Sequence, residues 1–455
     1  MRLHLILVAI LTILIPLTAW SQEPGAITAE ESPVMTWTLP GTGAGALVVN
    51  PVDGSLWTFL HQTHNLVALD GETGSVILDV PIDLSPTEMV FAPDGSTGFI
   101  VGEPMSDQII AAGIIEAFDP ATGGKIAQME LEGAGTAVCA TSDGSIYVAA
   151  GMQYAYQGTV YKLSWDKSRK TFAIVGQADT GKLPWALAVF EDNLYVTDQE
   201  LQWTARPDGS EGPPYGAWVW VYEASTLSLV DKIWVGINPT RFAVTKSGLL
   251  VACSGSKQTE GLYEPALVLL RTPNAADSEY IFVDNYGTSD IAGPKEANWA
   301  IASLASWMPA PSGSQAALWH QVLSSMVPEA RRWVDTGSVA IIDVDELERL
   351  DTAQTGEAES AEKTDQGSTG NAGQSDDSGA SGTIEEGQSQ VSGFMPQAVN
   401  VIDGAVLREI AVSLDGSLMY AIAKNVTDGT ESLIVVPVDL IRNAGEGPIY
   451  TVENP

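Results

Sequence analysis

The strongest constraint on this chain is a unit that recurs: an apolar strand, a tight turn, and a second apolar strand. Four copies stand out: Ala46–Leu60 (ALVVNPVDGSLWTFL), Glu88–Val101 (EMVFAPDGSTGFIV), Thr136–Ala149 (TAVCATSDGSIYVA) and Ile410–Ile422 (IAVSLDGSLMYAI). Each centres on Asp-Gly, at Asp53-Gly54, Asp94-Gly95, Asp143-Gly144 and Asp415-Gly416. Asp-Gly between alternating apolar runs signals a hairpin, because glycine accepts the positive φ of a tight turn. The first three turns are spaced 94 − 53 = 41 and 143 − 94 = 49 residues apart. Degenerate copies follow at Ala186–Val196, with Asp192-Asn193, and at Phe242–Cys253, with Ser247-Gly248. A second pattern trails the hairpins: an alternating strand closed by an acid and a turn. It reads Leu66–Asp70 into Gly71–Gly74, Ile115–Asp119 into Pro120–Gly123, Val219–Glu223 into Ala224–Thr226, and again at Val339–Asp343. The closing acids are expected to accept backbone N–H groups within their turns.

Two hairpins make a four-stranded antiparallel sheet, which cannot bury both faces alone. Radial stacking of copies buries them and leaves only short edges. The fold class is therefore all-β, a β-propeller. Ser142–Ala149 and Phe118–Gly123 carry a resemblance to the YVTN-type β-propeller repeat. That resemblance implies a propeller, commonly of seven blades, and no single activity, since function belongs to a site grafted on the fold. Counting units gives five blades up to Asn285, an irregular blade through Leu350 and a last blade after Phe394, seven in all, with six and eight as neighbouring alternatives. The strand-like Val34–Leu39 is expected to close the ring. Residues 351–393 form a Gly/Ser-rich acidic linker with almost no large aliphatic side chain, expected to be disordered. Residues 286–333 are the least regular ordered part, and within them Ser314–Val327 reads equally as a short helix or a distorted strand.

The N-terminus predicts export. Arg2 precedes the apolar run Leu3–Leu17, and Ala19-Trp20-Ser21 presents small residues for cleavage before Gln22. This divides the chain into a signal peptide (1–21), a flexible segment (22–33), six blades (34–350), the linker and the last blade (394–455). The expected compartment is periplasmic or extracellular, with no membrane insertion after cleavage and a monomeric state. A formal net charge of −36 argues against a nucleic-acid partner, which needs clustered Lys and Arg. Cys139 and Cys253 are read as two buried free thiols in different repeats.

Candidate site residues fall on the loops that lead into each first strand, Glu88, Trp185 and Arg241, and on the loops between second and third strands, Tyr154, Tyr156, Trp203, Tyr215 and Tyr263. Aromatic groups gathered on loops at one mouth suit ligand stacking or protein contact. His61 and His64 form a weak candidate metal pair. No Gly-x-Ser-x-Gly elbow and no phosphate-cradling glycine loop is present, and no cofactor is expected. The leading expectation is a non-enzymatic propeller that binds a protein or a carbohydrate-like ligand through its loop-rich face. The rival is a lactonase- or lyase-like enzyme using Glu88, Arg241 and His61 or His64.

Overall fold

The computed structural model describes residues 34–105, 112–151, 157–199, 217–254, 267–275, 278–281, 286–307, 333–346, 349, 389–390, 396–444 and 449–451. They form seven four-stranded antiparallel blades in a ring. Blade 1 is Ala44–Val49, Leu56–Leu60, Asn65–Leu69 and Val76–Pro81; blade 2 is Leu84–Phe91, Gly98–Pro104, Ala112–Phe118 and Lys125–Glu132. Blade 3 is Ala134–Ala140, Ser145–Gly151, Gly158–Asp166 and Thr171–Thr180; blade 4 is Pro184–Phe190, Asn193–Asp198, Ala217–Glu223 and Leu229–Val235. Blade 5 is Pro239–Val244, Leu249–Cys253, Leu267–Leu270 and Ser278–Ile281. Blade 6 takes Tyr286–Ala292, Trp299–Trp307 and Trp333–Asp343, and its outer strand, Val399–Asn400, comes from beyond the linker. Blade 7 is Ala405–Val412, Leu418–Asn425, Glu431–Pro437 and, from the other end of the chain, Met35–Thr38, which pairs antiparallel with Ser432–Val435.

The hairpin turns form as their residues dictate. Gly54, Gly95, Gly144 and Gly416 have φ of 72°, 64°, 82° and 74°, values that favour glycine. The preceding aspartate locks each turn. Asp53, Asp94, Asp143 and Asp415 each accept the backbone N–H of the serine two residues on, at 2.9–3.0 Å. The serine hydroxyls donate to the same carboxylates. At Asp415 the hydroxyl of Ser413 and the N–H and hydroxyl of Ser417 draw the carboxyl down to about 2. The closing acids behave alike: Asp70 accepts N–H groups of Glu72 and Thr73, and Asp119 that of Ala121. Glu223 departs from this pattern and accepts the Thr226 hydroxyl instead.

The core is divided among the seams between blades. Seven clusters of buried side chains each draw from two neighbours. Blades 1 and 2 share Trp57, Phe59, Phe91, Ile100 and Phe118; blades 7 and 1 share Tyr420, Ile422, Leu56 and Val67. Burial of each such side chain contributes roughly 1.5–3 kcal/mol. Tyrosines add polar stitches across the seams. Tyr147 of blade 3 donates to the Ala224 carbonyl of blade 4 at 2.7 Å, and Tyr222 of blade 4 returns to Asp179 O at 2.6 Å. Tyr420 of blade 7 donates to Gly71 O of blade 1 at 2.9 Å. Neither cysteine is in a disulfide; Cys253 is buried as expected, but Cys139 is only partly so, because its strand borders the central cavity.

Removing residues 34–38 should strip blade 7 of its outer strand, bare the edge of Glu431–Pro437 and lower Tm. Thermal denaturation with size-exclusion chromatography would read both the loss and any edge-driven association. Tyr420→Phe should cost about 1 kcal/mol in a chemical-denaturation measurement, since it leaves the Gly71 carbonyl without that donor.

Candidate functional site

The site begins with a register slip that every blade shares. Pairing of first and second strands is interrupted between Gly45 and Val48, Pro86 and Glu88, Gly135 and Ala137, Pro184 and Leu187, Pro239 and Arg241, Thr288 and Asp290, and Leu407 and Ile410. Such bulges bend a strand and re-aim its side chains. In blades 2, 3 and 5 a threonine fills the slip, and its hydroxyl donates to a second-strand carbonyl: Thr87 to Val101 O, Thr136 to Ala149 O and Thr240 to Ala252 O. Six residues before the turn positions Asp53, Asp94, Asp143, Asp192, Ser247 and Asp415 stand Leu47, Glu88, Ala137, Ala186, Arg241 and Glu409, and in blade 6 Asp290 follows the slip directly, as Glu88 and Arg241 follow theirs. We call this level of the first strands the waist; Leu47, Glu88, Arg241, Asp290 and Glu409 of this set line the central cavity.

Four of those seven are charged, and they meet. Arg241 of blade 5 uses all three guanidinium nitrogens on three blades. Its Nε donates to Asp290 Oδ1 of blade 6 at 3.1 Å, its Nη2 to Glu409 Oε2 of blade 7 at 2.7 Å, and its Nη1 to Glu88 Oε2 of blade 2. Blade 2 lies across the ring from blade 5, so the last bond spans the channel. Backbone groups add to this: Asp290 also receives the N–H groups of Ile291 and Ile410, and Glu88 that of Met89. Side-chain exposures of 27% for Arg241, 14% for Glu88 and 9% for Asp290 are exposure to the channel rather than to bulk solvent. Burial accordingly raises the Glu88 pKa, with the charge of Glu409 adding, against the pull of Arg241. Burial likewise pushes Asp290 up to about 7. For Arg241 burial acts against the charge, yet the three carboxylates hold its pKa well above the usual range.

Below the waist lies a cavity of ≈ 1030 Å³. Its walls are inner-strand side chains such as Val90, Val138, Leu187 and Phe242, and its rim carries Asp143, Glu191, Asp192, Lys295 and Glu296. Those rim residues sit on or beside the turns joining first and second strands, so the cavity opens on the tight-turn face. The sequence reading had placed the ligand mouth on the opposite face.

Glu88, Trp185 and Arg241 were expected on loops. They lie instead within first strands, because strand pairing extends past the slip on both sides. Trp185 occupies the slipped position of blade 4 and is 50% exposed. Tyr154, Tyr156, Trp203, Tyr215 and Tyr263 lie outside the described residues, as do the stretch 314–327 and most of the linker. His61 packs its ring edgewise on Phe59, with centroids 5.0 Å apart. Burial lowers its pKa, as does the neighbouring His64, against the pull of Glu409 and Glu431. Neither histidine bonds to Glu88 or Arg241, and no group of three potential metal ligands occurs among the described residues.

Asp290 and Glu409 escaped the sequence reading. A signal existed for Glu409: it precedes the turn aspartate by 415 − 409 = 6 residues, as Glu88 does by 94 − 88 = 6. Asp290 had none, because blade 6 lacks the Asp-Gly turn.

Arg241→Met would leave the buried Asp290 and the half-buried Glu88 and Glu409 without their counter-charge. It should cost about 3–5 kcal/mol at neutral pH. The loss should shrink at pH 5, where the carboxylates can take up protons, as chemical denaturation at the two pH values would measure.

No family model and no curated protein matches this chain. Solved structures do. A chain of Kuenenia stuttgartiensis hydrazine synthase is 13% identical over 88% of this chain and 97% of its own, with a TM-score of 0.55. U3-55K is 9% identical over 89% and 98%, TM-score 0.51, and the RRP9 WD40 repeats are 8% identical over 89% and 97%, TM-score 0.50. At such identities the likeness is one of fold, and it agrees with the strand order: the chain is a seven-bladed β-propeller.

Proposed function

We propose that this protein is an exported, non-enzymatic binding propeller that engages a protein or a carbohydrate-like ligand through the face carrying its long loops. The observation that carries the reading is the state of Arg241. The charged constellation that converges on the axis is consumed in joining blades 2, 5, 6 and 7, with each guanidinium nitrogen already bonded. Catalysis would need a group held ready for substrate, whereas Asp290 already accepts three N–H donors on its two oxygens. Cys139 is no nucleophile either, since burial pushes its thiol up to about 12.

The distribution of chain length supports the choice of face. First and second strands are joined by short turns, while in blades 4, 5 and 6 second and third strands are separated by long connections. These run from Asp198 to Ala217 in blade 4, Cys253 to Leu267 in blade 5 and Trp307 to Trp333 in blade 6. Long loops on a rigid scaffold are where recognition usually sits. Their aromatic residues, Trp203, Tyr215 and Tyr263 among them, suit stacking on a ring or packing against a partner surface. The signal-like N-terminus makes a periplasmic or extracellular partner the one to seek. We read the repeat unit as of the YVTN type, on Ser142–Ala149 and Phe118–Gly123.

A pull-down with the protein starting at Gln22 tests this. Partner recovery should fall at least tenfold when residues 200–216 are replaced by a Gly/Ser loop, and should survive Glu88→Gln. The opposite pattern, insensitive to the loop and abolished at Glu88, would favour chemistry in the channel.

A further inference from the structure

We propose that the Glu88–Arg241 contact is a proton-controlled bar across the channel, closing the waist while the cluster retains one proton and releasing blade 2 from blades 5, 6 and 7 when that proton leaves. The geometry sets this up. Glu88 is the only charged waist residue on its side of the ring, and its bond to Arg241 is the only one in the cluster that crosses the axis, among the described residues. Asp290 and Glu409 are held by neighbours, Asp290 by two backbone N–H groups, one from its own blade and one from blade 7. Fully ionised, the cluster carries +1 − 3 = −2 in a confined space. Like charges so placed repel, and one guanidinium cannot compensate three carboxylates. A retained proton removes one unit of that excess. Glu88 and Asp290 share one cation and are both pushed up by burial and by the charge of Glu409, so the proton belongs to the pair rather than to one residue.

Few other groups face the cluster. The first strands of blades 1 and 4 contribute no charged side chain, and that of blade 3 contributes only the neutral Cys139. Arg408 sits beside Glu409 on blade 7, and Lys295 and Glu296 stand at the cavity rim. His61 and Glu431 lie within electrostatic reach of each other, and Glu409 acts on His61 as well. The sign follows from the directions of the shifts. Glu88 and Asp290 hold protons more tightly folded than unfolded. Their contribution is therefore present at low pH and is lost as pH rises from the ordinary carboxylate range through about 7. His61 is shifted the other way and works weakly against the trend.

Hydrogen exchange of the protein starting at Gln22, corrected for intrinsic rates, reads the bar through the amides that bond to it, those of Met89, Ile291 and Ile410. Between pH 5 and pH 8, protection of 84–91, 286–292 and 405–412 should fall by about tenfold or more, bounded at tenfold per pH unit for each proton released. The outer strand Thr171–Thr180 should not follow. Glu88→Gln, a neutral replacement of similar shape, should flatten the dependence whatever it does to overall stability. If Glu88→Gln does not fold, Glu409→Gln serves the same purpose. Unchanged protection in the wild type, or an equal slope in the variant, overturns the proposal.

Discussion

A sheet with two apolar faces has no stable boundary short of closing on itself, and the whole architecture answers to that constraint. Each blade here exposes two faces rich in Val, Ile, Leu and aromatic side chains, and each finds cover only in its neighbours. Seven seams result, each with its own cluster of buried residues. The last seam exists because Met35–Thr38 and Glu431–Pro437 share one sheet, so the two ends of the chain hold each other. Trp37 shows how closely the junction is fitted: its ring lies against Tyr420 of blade 7 and against Gly74 of blade 1, where a Cβ would strike it.

The ring in turn dictates what happens at its centre. Seven strands brought side by side around an axis crowd one another at mid-height, and each slips its register there. The slip fixes which residue of every blade belongs to the waist. Small or apolar residues fill three of the seven positions, and four carry charge. One cation and three acids in that space are not the arrangement that maximises stability, since apolar packing often does as well as a buried ion pair. Their value is in specificity of geometry and in their response to pH.

Much of this was legible in the sequence. The Asp-Gly turns announced themselves through glycine's tolerance of positive φ, and the alternation on either side gave the strands. The repeat spacing gave the blade. What misled was placement at the edge of regular pairing: Glu88, Trp185 and Arg241 stand at or just before the start of the recognisable units Glu88–Val101, Ala186–Val196 and Phe242–Cys253, and so read as residues of the entry loops. In the structure Pro86, Pro184 and Pro239 sit beside the bulge, where the ladder is already interrupted, and pairing continues on both sides of it.

By itself, then, the sequence determined the local chemistry of this protein: which residues turn, which alternate, and that sheets of one kind recur too often to stand alone. Periodicity is a property of neighbours along the chain, and it can be read there. The tertiary structure alone decided that Arg241 meets Glu88, 153 residues away, and that the cavity opens on the face of the tight turns. Those facts depend on the number of blades and on the register slip in each. Both are set by how seven sheets share one axis, which no single repeat encodes.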